Sequence, residues 1–279
     1  MKNLWQKIIW PYLLPLFIGI GIGLVIVPLV ENKFIFKPTK YPGGYWSFDF
    51  KTNGIEDCYF STSDGLKLNG WFIPVDSPRA TLLICHGNGG NISYYLSYVK
   101  DLSRLHVNVF MFDYRGYGKS EGTPTEEGVY SDVTAAYQYL LNHPTVDSTK
   151  IILIGISLGS AIAIELATKI QSAGLVLQSP PTSVSDVAKS RFIPIHLFMK
   201  SKFDSINKIK NLHIPLLFIH GTDDYLVSIS YGKKLYATAN EPKWFYEVEG
   251  AGHNDLYSVA GATYLHKLSE FISFVRSIR

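Results

Sequence analysis

The chain has 279 residues, 47% of them hydrophobic and 18% charged, with a formal net charge of +3 at pH 7. That length fits one large α/β domain or two small ones, and the apolar share allows a globular core plus an extra apolar segment. No Lys/Arg cluster suits nucleic acid, the eight histidines show no metal-ligand spacing, and Cys58 and Cys85 read as packed thiols rather than a disulfide.

From Ile8 to Val30 the chain carries no charge. As a helix this run would be about 34 Å long, enough for a bilayer core. Trp5, Trp10 and Tyr12 stand at one end, as interfacial anchors do. Pro11, Pro15 and Pro28 interrupt it, and prolines in a first turn are tolerated. A spanning anchor is the expectation. A cleaved signal peptide would want small residues at its cut site, and the stretch after Val27 offers none. An amphipathic arm would show a polar face, and this run has none. Gly19 and Gly23 form a G-x-x-x-G, a hint of helix pairing. Lys2 and Lys7 precede the run and Lys33, Lys37 and Lys40 follow it, so sidedness is not readable.

Residues 32–54, with Pro38, Pro42, Gly43 and Gly44, read as a connector. Strand and helix signals then alternate. Residues 58–61 and 66–73 flank Ser63-Asp64-Gly65, a hairpin pattern. Strands are expected at 81–85, 107–112, 150–154, 174–178, 216–220 and 244–248. Helices are expected at 93–105, 126–142, 160–170, 230–239 and 262–278. Apolar strands alternating with helices predict a mostly parallel sheet covered on both faces. Reactive groups on such a sheet gather beyond the carboxyl ends of its strands.

Gly155-Ile156-Ser157-Leu158-Gly159 follows an apolar strand and precedes a helix. G-x-S-x-G in that setting is the nucleophile elbow of serine hydrolases, with Ser157 at the tip of a turn too tight for a Cβ at the flanking positions. A serine hydroxyl needs a base, and the base needs a carboxylate to orient it. His220-Gly221-Thr222-Asp223-Asp224 leaves one strand and offers two carboxylates, one of which can cap the turn instead. His253, in Gly252-His253-Asn254, leaves the next strand. His86 and His220 end strands before a glycine and read as turn-shaping residues. The other five histidines have no strand-end placement. The loop His86-Gly87-Asn88-Gly89-Gly90-Asn91 follows strand 81–85. Its glycines let the backbone turn inward, so Asn88 N–H and Leu158 N–H are the candidate oxyanion donors. A phosphate-cradling loop fits badly, because G-x-G-x-x-G and a P-loop lysine are both absent.

These segments, with Asp113-Tyr114-Arg115-Gly116-Tyr117-Gly118-Lys119-Ser120-Glu121-Gly122, resemble the α/β-hydrolase superfamily. Within it the chain is similar to the Bem-type membrane-anchored hydrolases, which include eukaryotic depalmitoylases. The resemblance runs from about Phe34 to the C-terminus. It implies an α/β-hydrolase fold with about eight strands, a small cap and the chain order Ser, Asp, His. The family spacing favours Asp224, four residues after His220, over Asp223. The Asp-Tyr-Arg-Gly-Tyr-Gly segment is expected to brace the active-site loop. Gly89 stands where alanine is common, and Ser228 where proline often follows the acid segment. The implied domains are an anchor over 1–31, a connector over 32–54 and a catalytic domain over 55–279, with a cap near 180–210. The cap interval carries an apolar patch (Phe192, Ile193, Ile195, Leu197, Phe198, Met199) that can pack on the core or face an acyl chain or membrane.

The expected activity is hydrolysis of carboxylic esters or thioesters at a membrane, with Ser157, His253 and Asp224 catalytic and no cofactor or metal. The substrate would be a small acyl ester, a lipid or an acylated protein. A lysophospholipase or monoacylglycerol lipase is the alternative within the class. A peptidase would want an accessory domain to select peptides, and a dehalogenase or epoxide hydrolase would want aspartate at the elbow. A non-enzymatic scaffold on the same fold is the alternative outside the class.

Overall fold

In the computed structural model, which describes residues 10–191 and 195–278, the alternating apolar runs form strands that stack into one sheet. The strands are β1 (Lys37–Pro38), β2 (Glu56–Ser61), β3 (Lys67–Ile73), β4 (Thr81–Cys85), β5 (Gly89–Gly90), β6 (Asn108–Phe112), β7 (Ile151–Ile156), β8 (Gly174–Gln178), β9 (Leu216–Gly221) and β10 (Lys243–Val248). The main sheet has the order β10-β9-β8-β7-β4-β6-β3-β2. From β10 to β6 every neighbour is parallel. The hairpin β2–β3 joins that edge antiparallel, so the sheet is mixed.

Every residue of β4 is buried, as a strand covered on both faces requires. Side chains alternate between the faces. Leu83 and Cys85 of β4, with Ile151 and Leu153 of β7, join the core under helices Glu126–Leu141 and Leu158–Ala167. Leu82 and Ile84, with Ile152 and Ile154, join the opposite core under helices Leu96–Ser103 and Ala262–Ser277. Each such buried aliphatic side chain stabilises the fold by about 1.5–3 kcal/mol relative to exposure.

The chain leaves β4 toward β6 and returns on its other side as β7. The order reverses there, and a crevice opens beyond the carboxyl ends of β4 and β7. The loops after β4, β7, β9 and β10 all issue on that side.

Most expected elements lie within three residues of their predicted bounds, and two differ in kind or extent. The stretch expected as one helix over 93–105 is a 3-10 turn at Ile92–Tyr95 followed by an α-helix at Leu96–Ser103. The Asn91 side chain accepts the Ser93 N–H and tightens that entry. The N-terminal helix runs from Trp10 to Ile35, past the expected boundary near residue 30. It continues through Pro15 and Pro28, each of which removes one intrahelical N–H donor. Its stretch Pro15–Ile35 is long and apolar enough to cross a membrane, by length and composition. Trp5, Lys2 and Lys7 lie outside the described residues.

The connector is stitched to the body. Lys37 and Pro38 pair with Gly89 and Gly90, and the Asn91 side chain donates to the carbonyls of Thr39 and Gly43 at 2.8 and 2.9 Å. Trp46 packs edge-on against the buried Trp71. Between β8 and β9 lie helix Val184–Arg191, a 3-10 turn at Ile195–Leu197 and helix Ser205–Ile209. Of the apolar patch expected there, Phe192 and Ile193 lie outside the described residues, as does the Ile195 side chain. The rest divides: Met199 is buried in the core and Leu197 is exposed.

Candidate active site

Strand β7 ends at Ile156, and Ser157 opens the following helix with φ 54° and ψ −118°. A non-glycine residue at positive φ is strained by on the order of 1–3 kcal/mol, and the surrounding packing must hold it. The two flanking glycines show how. A Cβ on Gly155 would run into Ser160 Cα, and one on Gly159 into the Cys85 carbonyl. The Ser157 N–H donates to Gln178 O at 2.8 Å, and the Ser160 hydroxyl donates to Gly155 O at 2.9 Å. The hydroxyl of Ser157 is left facing the crevice.

The β10 loop brings His253 to it. His253 Nε2 lies 2.9 Å from Ser157 Oγ, and Nδ1 lies 2.7 Å from Asp224 Oδ2. With the carboxylate ionised, Nδ1–H donates to it and Nε2 is free to accept the serine proton. The loop is held by the backbone: Asp223 N–H donates to Ala251 O at 2.9 Å, and Gly252 N–H donates to Asp255 Oδ1 at 2.7 Å.

Of the two neighbouring acids, Asp224 is buried and meets the imidazole, while Asp223 is exposed. Asp224 Oδ1 accepts the N–H groups of Leu226 and Val227 at 2.9 and 2.8 Å. His220, read from the sequence as a turn residue, is also a partner. Its Nε2 lies 2.8 Å from Val227 O and 3.4 Å from Asp224 Oδ2. Burial alone would raise the Asp224 pKa. Hydrogen bonds from His220 and His253, with the Val227 amide, outweigh it and hold the carboxyl below the ordinary range.

The loop after β4 lies against the elbow, where a Cβ on Gly87 would sit 3.7 Å from Ser157 Cβ. The Asn88 peptide is fixed from behind. Its carbonyl accepts Lys37 N–H at 2.8 Å and the Tyr117 hydroxyl at 2.7 Å, and its side chain donates to Ile35 O at 3.0 Å. Among the described residues no protein group accepts the Asn88 N–H. The Leu158 N–H is the first amide of its helix and has no intrahelical acceptor. Asn88 and Leu158, the residues expected to supply the oxyanion donors, both line the cavity with Ser157 and His253.

The bracing role expected for the Asp-Tyr-Arg-Gly-Tyr-Gly segment is visible in its contacts. The Tyr114 hydroxyl donates to His86 O at 2.9 Å, and Asp113 Oδ1 accepts Ile92 N–H at 2.9 Å. His86 is fully buried, with Nδ1–H donating to Gly87 O at 2.7 Å. Burial pushes its pKa down to about 4 against a smaller opposing effect of that hydrogen bond, so it stays neutral at pH 7. Arg115 is anchored on Asp132 and Asp64. Among the described residues no group of three or more His, Cys, Asp or Glu could hold a metal ion.

The cavity has a volume of about 1030 Å³. Sequence reasoning missed part of its wall: Val27, Val30 and Glu31 come from the stretch read only as an anchor, and Phe34 from the stretch read as a connector. Their spacing was visible, but nothing local distinguishes a face turned to a cavity from one turned to lipid.

Comparison with known proteins shows the family. The family model described as serine aminopeptidase, S33, matches residues 76–206. Human alpha/beta hydrolase domain-containing protein 17B is 35% identical over 235 residues, covering 82% of this chain and 79% of that protein. The uncharacterized protein YfhR of Escherichia coli K12 is 31% identical over 274 residues, 94% of each chain. Among solved structures, the Pyrococcus furiosus esterase Pf2001 superposes with a TM-score of 0.71 at 22% identity, over 86% of this chain and 97% of that one. The chain belongs to the α/β-hydrolase superfamily and is related to the serine hydrolases of the alpha/beta hydrolase domain-containing protein 17 group.

Proposed function

We propose that this protein is a membrane-tethered serine hydrolase that cleaves carboxylic esters or thioesters. One observation carries the reading: the unbroken hydrogen-bond line Asp224–His253–Ser157, at 2.7 and 2.9 Å, beside two backbone donors. Ser157 Oγ attacks the acyl carbonyl carbon as His253 Nε2 takes its proton. Asp224 holds the imidazole in the right tautomer and stabilises the imidazolium. The N–H groups of Asn88 and Leu158 receive the negative oxygen. The leaving alcohol or thiol takes the proton from Nε2, and an acyl group remains on Ser157. Water repeats the sequence and releases the acid.

The lining favours an acyl group over a peptide N-terminus. Recognition of a substrate ammonium would want a free carboxylate in the cavity. Glu31 is the acid in the lining, and its two oxygens already accept Lys200 N–H, Ser201 N–H and the Ser201 hydroxyl at 2.8–2.9 Å. The tether is the helix Trp10–Ile35, whose exposed residues from Pro15 to Leu29 are apolar. In domain terms the anchor is residues 1–31, the connector 32–54 and the catalytic domain 55–279, with its cap near 180–210.

The test is Ser157→Ala in purified protein. Turnover of a p-nitrophenyl ester should fall on the order of 10⁶-fold. Fluorophosphonate labelling should be lost with it. Wild-type activity in that variant would sink the mechanism. A folded wild-type protein that takes no label would favour a scaffold instead.

A further inference from the structure

The anchor helix and the cavity share residues. Along the helix, Gly23, Val27, Val30, Glu31 and Ile35 turn toward the body, spaced three or four apart. Leu24, Val25, Ile26 and Leu29 turn away and are 49–72% exposed. A helix apolar on both faces is not built for water on its outer side. Val27 and Val30 line the cavity from within, and Phe34, 66% exposed, lines it at the rim beside Tyr94 and Leu226.

Two contacts seat this helix. Glu31 is buried and accepts three hydrogen bonds from Lys200 and Ser201 in the cap. Gly23 lets the backbone approach the Phe198 ring so closely that a Cβ there would come within 2.9 Å of it. Val184 and Val187 of the cap helix line the same cavity. Among the described residues of the lining, Glu31 is held by the partners just named, and Arg191, exposed at the rim, donates from Nη2 to the Tyr225 carbonyl at 2.7 Å. The cavity that holds Ser157 reaches the helix, and its lining there is mostly apolar.

We propose that Val27–Ile35 is the acyl-selecting wall of the active site, so that the segment entering the bilayer also receives the substrate's long acyl chain and leads it to Ser157. This rests on the hydrolase reading above and deepens it. The stretch Pro15–Ile35 that is long and apolar enough to cross a bilayer contains the wall itself. If that stretch lies in lipid, the apolar rim lies at the membrane surface and an acyl chain enters without crossing water.

The experiment compares p-nitrophenyl acetate with p-nitrophenyl palmitate, in one detergent, on wild-type, Val30→Trp, Val30→Ala and Leu29→Trp proteins. Val30→Trp fills the slot, and the palmitate-to-acetate ratio of kcat/KM should fall about 10-fold or more. Val30→Ala should raise the palmitate KM by a larger factor than the acetate KM. Leu29→Trp, on the outward face, should alter neither. Fluorophosphonate labelling of Val30→Trp at the wild-type rate shows that its triad is intact. Equal loss on both esters, or an unchanged palmitate rate in both Val30 variants, overturns the wall. A wild-type protein that cleaves neither ester and takes no label overturns the hydrolase reading instead.

Discussion

Asp224 accepts hydrogen bonds from Leu226 and Val227 on one oxygen and from His253 on the other, with His220 close behind. Asp224→Asn keeps the shape and offers His253 an amide where it needs an anionic acceptor. Turnover should drop on the order of 10⁴-fold with little change in KM, measured on a short ester. The same variant tests the carboxyl's ionisation. An acid whose folded pKa lies below its unfolded value of about 3.9 adds stability above that pH. It loses that stability as pH falls through the folded value. The variant should therefore be less stable than wild type by about 2 kcal/mol at pH 7, from loss of hydrogen bonds to a charged group. The gap should narrow below about pH 4. Urea midpoints that differ equally at pH 7 and pH 3 would contradict a depressed pKa. At this scale much of the site was legible. G-x-S-x-G, His-Gly-x-Asp-Asp and Gly-His each follow a strand, and chain order links them. The part played by His220 was not legible, because its Nε2 reaches Asp224 and Val227 only after the turn at 224–227 folds back over it.

At the scale of elements, the segment after β6 acts on the reaction from a distance. Tyr117 donates to Asn88 O, which fixes the peptide whose N–H is proposed as an oxyanion donor. Tyr117→Phe removes that donor and nothing else. Its stability cost should be about 1 kcal/mol. A small misplacement of a catalytic donor costs up to about 10²-fold, so kcat should fall about 10-fold or more with KM nearly unchanged. An unchanged kcat in a folded variant would show that Lys37 N–H and the Asn88 side chain suffice to hold the peptide. Strand β7 carries the elbow and is packed on both faces. Leu153→Ala in its centre should cost about 2–5 kcal/mol by urea unfolding, the range for a large-to-small core change. A loss under 1 kcal/mol would mean the neighbouring strands collapse into the space. The strands themselves were readable: β4 and β8 have the bounds their apolar runs predict, since a strand buried on both faces has little else in its sequence. The entry to helix Leu96–Ser103 was not, because the Asn91 side chain overrides the helical periodicity of residues 93–95.

For the whole molecule, the open question at sequence level was how an apolar N-terminal helix relates to a globular body. Apolarity on all sides gave no clue to which face docks. The division is sharp in three dimensions. From Tyr12 to Ile22 the described side chains project from the body, most of them exposed. From Gly23 onward the helix is packed on the cap, and Ile35 and Phe36 enter the core. Two truncations should then behave differently. Removing residues 1–22 discards no contact that Glu31, Gly23 or Phe36 makes, so the body should fold and cleave acetate esters at a rate within about threefold of wild type. It should also shift from the membrane fraction toward the detergent-free soluble fraction, since what remains of the helix is too short to span. Removing residues 1–36 strips Glu31 from its three donors, leaves Lys200 and Ser201 N–H groups without their acceptor and takes Ile35 and Phe36 out of the core. That protein should be insoluble or markedly less stable, because an emptied core site and unsatisfied donors each cost a few kcal/mol. Equal solubility and equal thermal midpoints for the two truncations would mean that the helix is tethered to the body and not part of it.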